Sequence, residues 1–263
     1  MIKLIATDMD GTWLNSQRKY NIAKFKKIMK LTQEKNIKFV VASGNQFENL
    51  LTRFPKEYWS QMYFIAENGA YVLHGHEPLS IVDFNDEEIA TIKRIEGQMH
   101  GKSVWAGVSS AYVLKKYGEK FAKCIHQSNE KLKRVDSFEE VTDRFLKVTV
   151  TTEPGYASKV AKELRAKNSN IDIVAGCDWS VDFSKVGISK ASGLRLLGQR
   201  LGISPNEMVS FGDSGNDVEM LHYTGRSYAT STALVEAKLA AKSMIGSSDN
   251  SAVQDKILEL LME

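Results

Sequence analysis

Residues 2–12 read Ile2-Lys3-Leu4-Ile5-Ala6-Thr7-Asp8-Met9-Asp10-Gly11-Thr12. A short run of strand character leads straight into two aspartates two positions apart, then a glycine and a threonine. Residues 2–7 have strand length and composition. In an open α/β sheet, ligands bind beyond the carboxyl ends of the strands, so both carboxylates can face one ligand there. Gly11 frees the backbone to turn. Thr12 offers a hydroxyl and an amide N–H to a phosphate oxygen. One carboxylate can act as a nucleophile toward phosphorus, while its neighbour protonates the leaving oxygen and later activates water. The plainer alternative is an acidic turn that only caps the next segment.

Working outward, the same rhythm repeats. Residues 21–35 have helical spacing, with Ile22, Phe25 and Met29 on one face. Residues 37–42 and 62–66 are continuous β-branched and apolar runs, as in strands buried on both faces. Strands alternating with helices predict a mostly parallel sheet covered by helices. After about residue 83 the texture changes. Helices are predicted at 86–99 and 119–128 and strands at 102–108, 111–114, 145–152, 171–175 and 181–183. Pro154 is expected to open a helix carrying Val160 and Leu164. From Ser189 the first rhythm returns: a helix with Leu194, Leu197 and Leu201, a buried strand at 208–211, a helix at 218–223, and a last helix with Val253, Ile257 and Leu260. The expected organisation is an α/β core of residues 1–82 and 186–263 with an α+β domain, 83–185, inserted in it.

Three further stretches carry chemistry. Gly212-Asp213-Ser214-Gly215-Asn216-Asp217 follows a predicted strand and precedes a helix. Its carboxylates, opposite the first acidic pair, need a cation between them, and an all-oxygen site suits Mg²⁺; a Gly/Asn/Asp turn made for backbone reasons is the alternative. Ser43-Gly44-Asn45, also after a strand, can cradle phosphate with a hydroxyl and amides or supply only a serine N-cap. Lys190 opens the helix after the insert, where it can neutralise phosphate or simply be solvated. Together the four motifs follow successive core strands and make a parts list for metal-assisted phosphoryl transfer.

The 263 residues are enough for a substantial core, and 43% hydrophobic with 25% charged residues is ordinary for a soluble globular chain. No apolar run reaches membrane-spanning length, and residues 1–6 lack the features of a signal peptide, so no membrane association and a cytoplasmic location are expected. The net charge of +3 suits small anionic substrates and is too weak to argue for nucleic acid. Clusters such as Lys24-Lys26-Lys27 and Lys131-Lys133-Arg134 read as solvated helix faces. Cys124 and Cys177 have no CxxC spacing, which argues against a disulfide framework or zinc site; they read as buried or idle thiols.

With these residues in view, the sequence resembles the haloacid dehalogenase superfamily, whose four motifs are these four in this order. More narrowly it is similar to the Cof-type, class IIB phosphatases: Ala66-Glu67-Asn68-Gly69-Ala70 matches the stretch before their cap and Lys190-Ala191-Ser192-Gly193-Leu194 the lysine motif after it. Ser43-Gly44-Asn45-Gln46 and Ser109-Ser110-Ala111-Tyr112 look like the sugar-phosphatase members. The resemblance implies a Rossmann-like core with a parallel sheet under a C2B-type cap that closes over the site. It implies Asp8 as nucleophile, Asp10 as general acid/base, and Thr12, Ser43, Gly44, Lys190 and Asn216 as phosphate-binding. It implies Mg²⁺ on Asp8, the Asp10 carbonyl and Asp213, with Asp217 behind them.

The chain departs from the pattern at Asn45, where an arginine is usual and the leaving-group contacts are expected to change; at Trp13, where a leucine is usual and the pocket mouth is expected to be shaped; and at Ala229-Thr230-Ser231-Thr232-Ala233, which lacks the usual asparagine. The expected activity is hydrolysis of small phosphomonoesters, sugar phosphates foremost, by a monomer acting on a phosphorylated metabolite. A phosphomutase or phosphotransferase, a receiver-like switch, and a phosphate-ligand-binding module are the alternatives. Asp182, Trp179 and residues 107–112 are candidate cap-side contacts, but Trp179 reads more readily as a core or interface aromatic and Asp182 as a surface strand residue, so neither is placed in the site.

Overall fold

The computed structural model describes residues 1–263, with all side chains except that of Cys177. Strands β1 (Leu4–Thr7), β2 (Lys38–Ala42) and β3 (Met62–Ala66) are followed by a hairpin, β4 (Tyr71–His74) and β5 (Glu77–Ile81). A second group comprises β6 (Ser103–Gly107), β7 (Ala111–Leu114), β8 (Leu132–Val135), β9 (Phe145–Thr151), β10 (Asp172–Cys177) and β11 (Ser180–Ser184). The chain then returns through β12 (Met208–Gly212), β13 (Arg226–Thr230) and β14 (Ser243–Ile245). The first and last groups form one eight-stranded sheet, order β14-β13-β12-β1-β2-β3-β4-β5, and the middle group a six-stranded sheet, order β10-β11-β9-β6-β7-β8. The fold is therefore an α/β core with an α+β unit inserted in the chain.

The core sheet is parallel from β14 to β3 and antiparallel through the β4–β5 hairpin. Sequence reading missed that hairpin, along with β8, β13 and β14. Successive residues of β1, β2 and β3 bury on opposite faces, which is why these strands read as unbroken apolar runs. On one face Ile5, Phe39, Val41 and Phe64 pack with helices α1 (Ile22–Glu34), α2 (Phe47–Thr52) and α9 (Ala252–Met262). On the other, Leu4, Ala6, Val40 and Ile65 meet α6 (Lys190–Leu201) and α7 (Val218–Tyr223). A short α8 (Val235–Ala240) lies beside α7.

The second sheet alternates cleanly. Trp105, Val148, Val150, Val181 and Phe183 bury against α3 (Asp86–Gln98) and α5 (Ala157–Arg165). Val104, Ala111 and Val113 point the other way, toward α4 (Glu119–His126). The intervening residues Ala106, Lys147, Thr149 and Asp182 face a cavity of about 590 Å³ whose opposite wall includes Asp8, Ser43 and Asp213 at the carboxyl ends of the core strands.

Several local readings need correction. Pro154 lies in the turn before α5, which begins at Ala157 with Gly155 at φ +83° between them. Lys133 and Arg134 belong to edge strand β8, not a helix, and Lys131, just before it, pairs with Glu48 at 2.7 Å. Ile22 is exposed, and Ile28 takes its place beside Phe25 and Met29. Cys124 is an exposed free thiol, not a buried one; the expectation for the Cys177 thiol falls outside the described side chains. Among the described residues, no helix is long and apolar enough to cross a membrane.

Candidate active site

Asp8 is the first residue beyond β1, held there by its N–H donating to the Phe211 carbonyl at 3.0 Å. The chain turns at Gly11, whose φ of +83° lies where a side chain is strained. A Cβ at Gly11 would also come within 2.5 Å of Asp213 Oδ2. The glycine therefore serves both the turn and the approach of the second acidic loop.

Lys190 is the first residue of α6, after a Ser189–Ser192 capping box. A cation at a helix N-terminus opposes the macrodipole, and this lysine is fully buried as well. Two carboxylates offset both costs: Nζ lies 2.7 Å from Asp8 Oδ1 and 2.7 Å from Asp217 Oδ1. Burial works against the charge, but Asp217 and Asp8 outweigh it and push the Lys190 pKa up. Lys190 is thus not the solvated lysine that base expectation favours.

Asp8, Asp213 and Asp217 bring carboxylate oxygens within 4.8 Å of one another. Their remaining partners distinguish them. Asp217 Oδ1 is taken by Lys190, and Oδ2 accepts from the Asp213 and Ser214 amides at 2.9 and 3.1 Å. Asp213 Oδ1 accepts from the Thr12 hydroxyl at 2.6 Å, leaving Oδ2. Burial foremost, then the charges of Asp217 and Asp213, push Asp8 well above the usual carboxylate range, with Lys190 pulling back. Burial and the Asp217 charge push Asp213 up to about 6. Carboxylate oxygens gathered this closely, with Asp8 and Asp213 raised by burial first and by neighbouring charge second, fit a hard divalent cation such as Mg²⁺ at those two residues.

Thr12 departs from its expected role. Its hydroxyl goes to Asp213, its N–H faces the Met9 carbonyl at 3.3 Å, and it is fully buried. It positions an acid instead of meeting phosphate. Trp13 is also not at the pocket mouth: it is 1% exposed, with Phe39 and Tyr20 rings each 5.5 Å away. The larger ring fills the core.

Ser43 does not cap α2, whose N-cap is Gln46. Its N–H donates to the Ile65 carbonyl, and its Oγ accepts from the Asn45 amide at 3.1 Å. The Ser43 hydroxyl proton and the Gly44 amide remain to offer an anion, and both residues line the cavity. Asn45 Nδ2 donates to Asp10 Oδ2 at 2.7 Å, and Arg18 Nε lies 3.8 Å from Asp10 Oδ1. Asp10 is thus oriented at the cavity by the residue that replaces the usual arginine. Asn216 also lines the cavity, with its amide held between the Ser214 hydroxyl at 2.8 Å and Asn68 Oδ1 at 3.0 Å.

Residues 66–70 tie these loops together. Glu67 and Asn68 both have positive φ, +48° and +55°. Their amides donate to the Asn45 and Ser43 carbonyls at 3.2 and 3.0 Å. The buried Glu67 carboxylate meets Lys147 of β9 at 2.7 Å, and Lys147 also donates to the Gly44 carbonyl. Burial works against the Lys147 charge, but Glu67 and Asp182 outweigh it and push its pKa up. Asp182 and Trp179 line the cavity as expected candidates, whereas residues 107–112 do not. Sequence reading missed Arg18, Asn68, Lys147 and Thr149. Lys147 and Thr149 lie within the strand expected at 145–152, two positions apart and so on one face of β9.

A family model described as haloacid dehalogenase-like hydrolase matches residues 5–257. The chain is 35% identical over 262 residues to 5-amino-6-(5-phospho-D-ribitylamino)uracil phosphatase YbjI of Escherichia coli strain K12, spanning 99% of this chain and 96% of that protein. Among solved structures, SMU.1108c from Streptococcus mutans UA159 is 31% identical with a TM-score of 0.93 over 100% of both chains. The subclass IIB sugar phosphatase BT4131 shares the fold, with a TM-score of 0.83 over 98% of each chain at 20% identity.

Proposed function

The chain belongs to the haloacid dehalogenase-like hydrolase family and is a phosphatase, and from that premise we propose that it hydrolyses small phosphomonoesters, sugar and polyol phosphates foremost, in a Mg²⁺-dependent reaction through an aspartyl-phosphate on Asp8. The observation that carries the reading is the buried Lys190 ammonium, 2.7 Å from both Asp8 and Asp217 and facing a carboxylate cluster at the cavity floor. The ribityl phosphate in the name of the Escherichia coli relative supports a polyol-type leaving group.

Asp8 attacks phosphorus and the ester oxygen leaves. Asp10, oriented by Asn45, protonates that oxygen and then takes a proton from the water that cleaves the acyl phosphate. Lys190 holds the nucleophile and neutralises charge on the transferring group, joined by the Ser43 hydroxyl and the Gly44 amide. Asp8, the Asp10 carbonyl and Asp213 would hold Mg²⁺, with Asp217 and Thr12 fixing the loop behind them. When bound, the ion screens the repulsion between the Asp8 carboxylate and the phosphate. The 83–185 unit acts as a cap whose closure keeps bulk water from the site.

Phosphate release by wild type and Asp8→Asn, with and without Mg²⁺, over sugar phosphates, polyol phosphates, nucleotides and flavin mononucleotide tests the reading. Metal-dependent release abolished by Asp8→Asn is expected. Release that persists in Asp8→Asn, or none from any substrate by folded wild type, would overturn it.

A further inference from the structure

The wall of the cavity supplied by the second sheet holds a polar cluster that the hydrolytic steps do not use. Asp182 of β11 pairs in register with Thr149 of β9, and the Thr149 hydroxyl donates to Asp182 Oδ1 at 2.7 Å. Asp182 is only 8% exposed yet lines the cavity. Its Oδ2 accepts no hydrogen bond from a described residue. The carboxylate owes its place to Gly176 on β10, where the ladder is interrupted by a bulge between Ala175 and Cys177. A Cβ at Gly176 would come within 2.7 Å of Oδ1 and 2.9 Å of Oδ2.

An ionised carboxylate only accepts hydrogen bonds, so the open oxygen on the cavity wall can take a donor from a bound ligand. The neighbouring cation offsets its charge only in part, because Lys147 is shared with Glu67, to which it is ion-paired at 2.7 Å. Asp178 adds a second carboxylate to the same wall, while Val104 and Ala106 give it an apolar strip. The wall therefore complements a leaving group with hydroxyl or N–H donors and a carbon face, and repels one bearing a second anion.

We propose that Asp182 is a specificity-determining residue: its open oxygen accepts a hydrogen bond from a hydroxyl of an uncharged polyol leaving group, and its charge turns away phosphoesters with a second anionic group. This rests on the phosphomonoesterase reading above. Lys147 and Gly176 are positioning residues for it, one through charge and one through space.

The test compares wild type, Asp182→Asn and Gly176→Ala on ribitol 5-phosphate, fructose 1,6-bisphosphate and 4-nitrophenyl phosphate, with thermal unfolding as the check of folding. The aryl substrate has no hydroxyl on its leaving group and reports the reacting centre alone. A site built to bind a substrate hydroxyl loses discrimination when its acceptor is weakened. In Asp182→Asn, kcat/KM for ribitol phosphate relative to the aryl phosphate should fall about tenfold or more, and the bisphosphate should gain relative to ribitol phosphate. Gly176→Ala displaces the carboxylate without removing it and should shift both ratios the same way; it carries the comparison if Asp182→Asn does not fold. Unchanged ratios, or an equal fall on all three substrates, would overturn the assignment while leaving the phosphatase reading intact. Wild type inactive on all three would overturn the phosphatase reading, and this proposal with it.

Discussion

Replacing Lys190 with methionine keeps most of the side-chain volume and removes one charge from the centre of the fold. The lysine is fully buried and contacts Asp8 and Asp217 at 2.7 Å each. Without it, three carboxylates whose oxygens lie within 4.8 Å of one another lose their central cation. Breaking a buried ion pair by removing one partner costs about 3–5 kcal/mol, and that is the loss expected for metal-free Lys190→Met at pH 7.5. Burial already raises Asp8 and Asp213 above the usual carboxylate range, and loss of the lysine raises them further. Acids whose folded pKa exceeds the unfolded value favour folding when protonated, so their contribution declines as pH rises through that interval. The deficit against wild type should therefore be smaller at pH 5 than at pH 7.5, and Mg²⁺ should narrow it at the higher pH. Urea unfolding followed by circular dichroism at both pH values reads the stability. Phosphate release should fall about 10²–10³-fold, the usual effect of removing one preorganised charge-stabilising donor. A variant as stable as wild type at pH 7.5 without metal, or one whose deficit grows toward pH 5, would refute the reasoning.

The wild-type protein should itself show metal–pH linkage. Asp213 is pushed up to about 6 from an unfolded value near 3.8, so the metal-free fold should lose up to about 3 kcal/mol as pH rises from about 4 through 6. The Mg²⁺-induced gain in melting temperature should then be larger at pH 7.5 than at pH 5, and an equal gain at both would contradict this. Thr12→Val keeps the buried shape but removes the hydroxyl on Asp213; it should weaken Mg²⁺ binding, read as a raised metal requirement, with little change in substrate KM. Trp13→Ala should destabilise by about 3–5 kcal/mol without altering the ranking of substrates, and an altered ranking would return Trp13 to the pocket mouth. Lys147→Met should cost about 3–5 kcal/mol by stranding the buried Glu67 carboxylate, whereas Lys147→Arg should restore most of it in chemical denaturation.

Much of the fold was legible because its signals are local. β1, β2, β3 and β12 bury both faces and so read as unbroken apolar runs, and their carboxyl ends pointed to Asp8, Ser43 and Asp213 before any coordinates. The β4–β5 hairpin was missed because Tyr71-Val72-Leu73-His74 is only four residues with a half-buried pattern. β13 and β14 were missed because they are short strands of mixed composition, five and three residues long, that form by pairing outward from β12, β13 on β12 and β14 on β13. Pro154 misled because a proline suits both a helix start and the turn that precedes one.

What the sequence by itself determined is the α/β core, the order of four motifs along it, and the residue types able to transfer a phosphoryl group. These rest on periodicity, and on side-chain chemistry that a residue carries wherever it is placed. What only the tertiary structure decided is where each group's hydrogen bonds go. The Thr12 hydroxyl finds Asp213 across 201 positions of sequence. Lys147 and Asp182, which fall on the strands read at 145–152 and 181–183, line the cavity. Alternation says that a strand has a polar face; only the packing of one sheet over another says what that face meets.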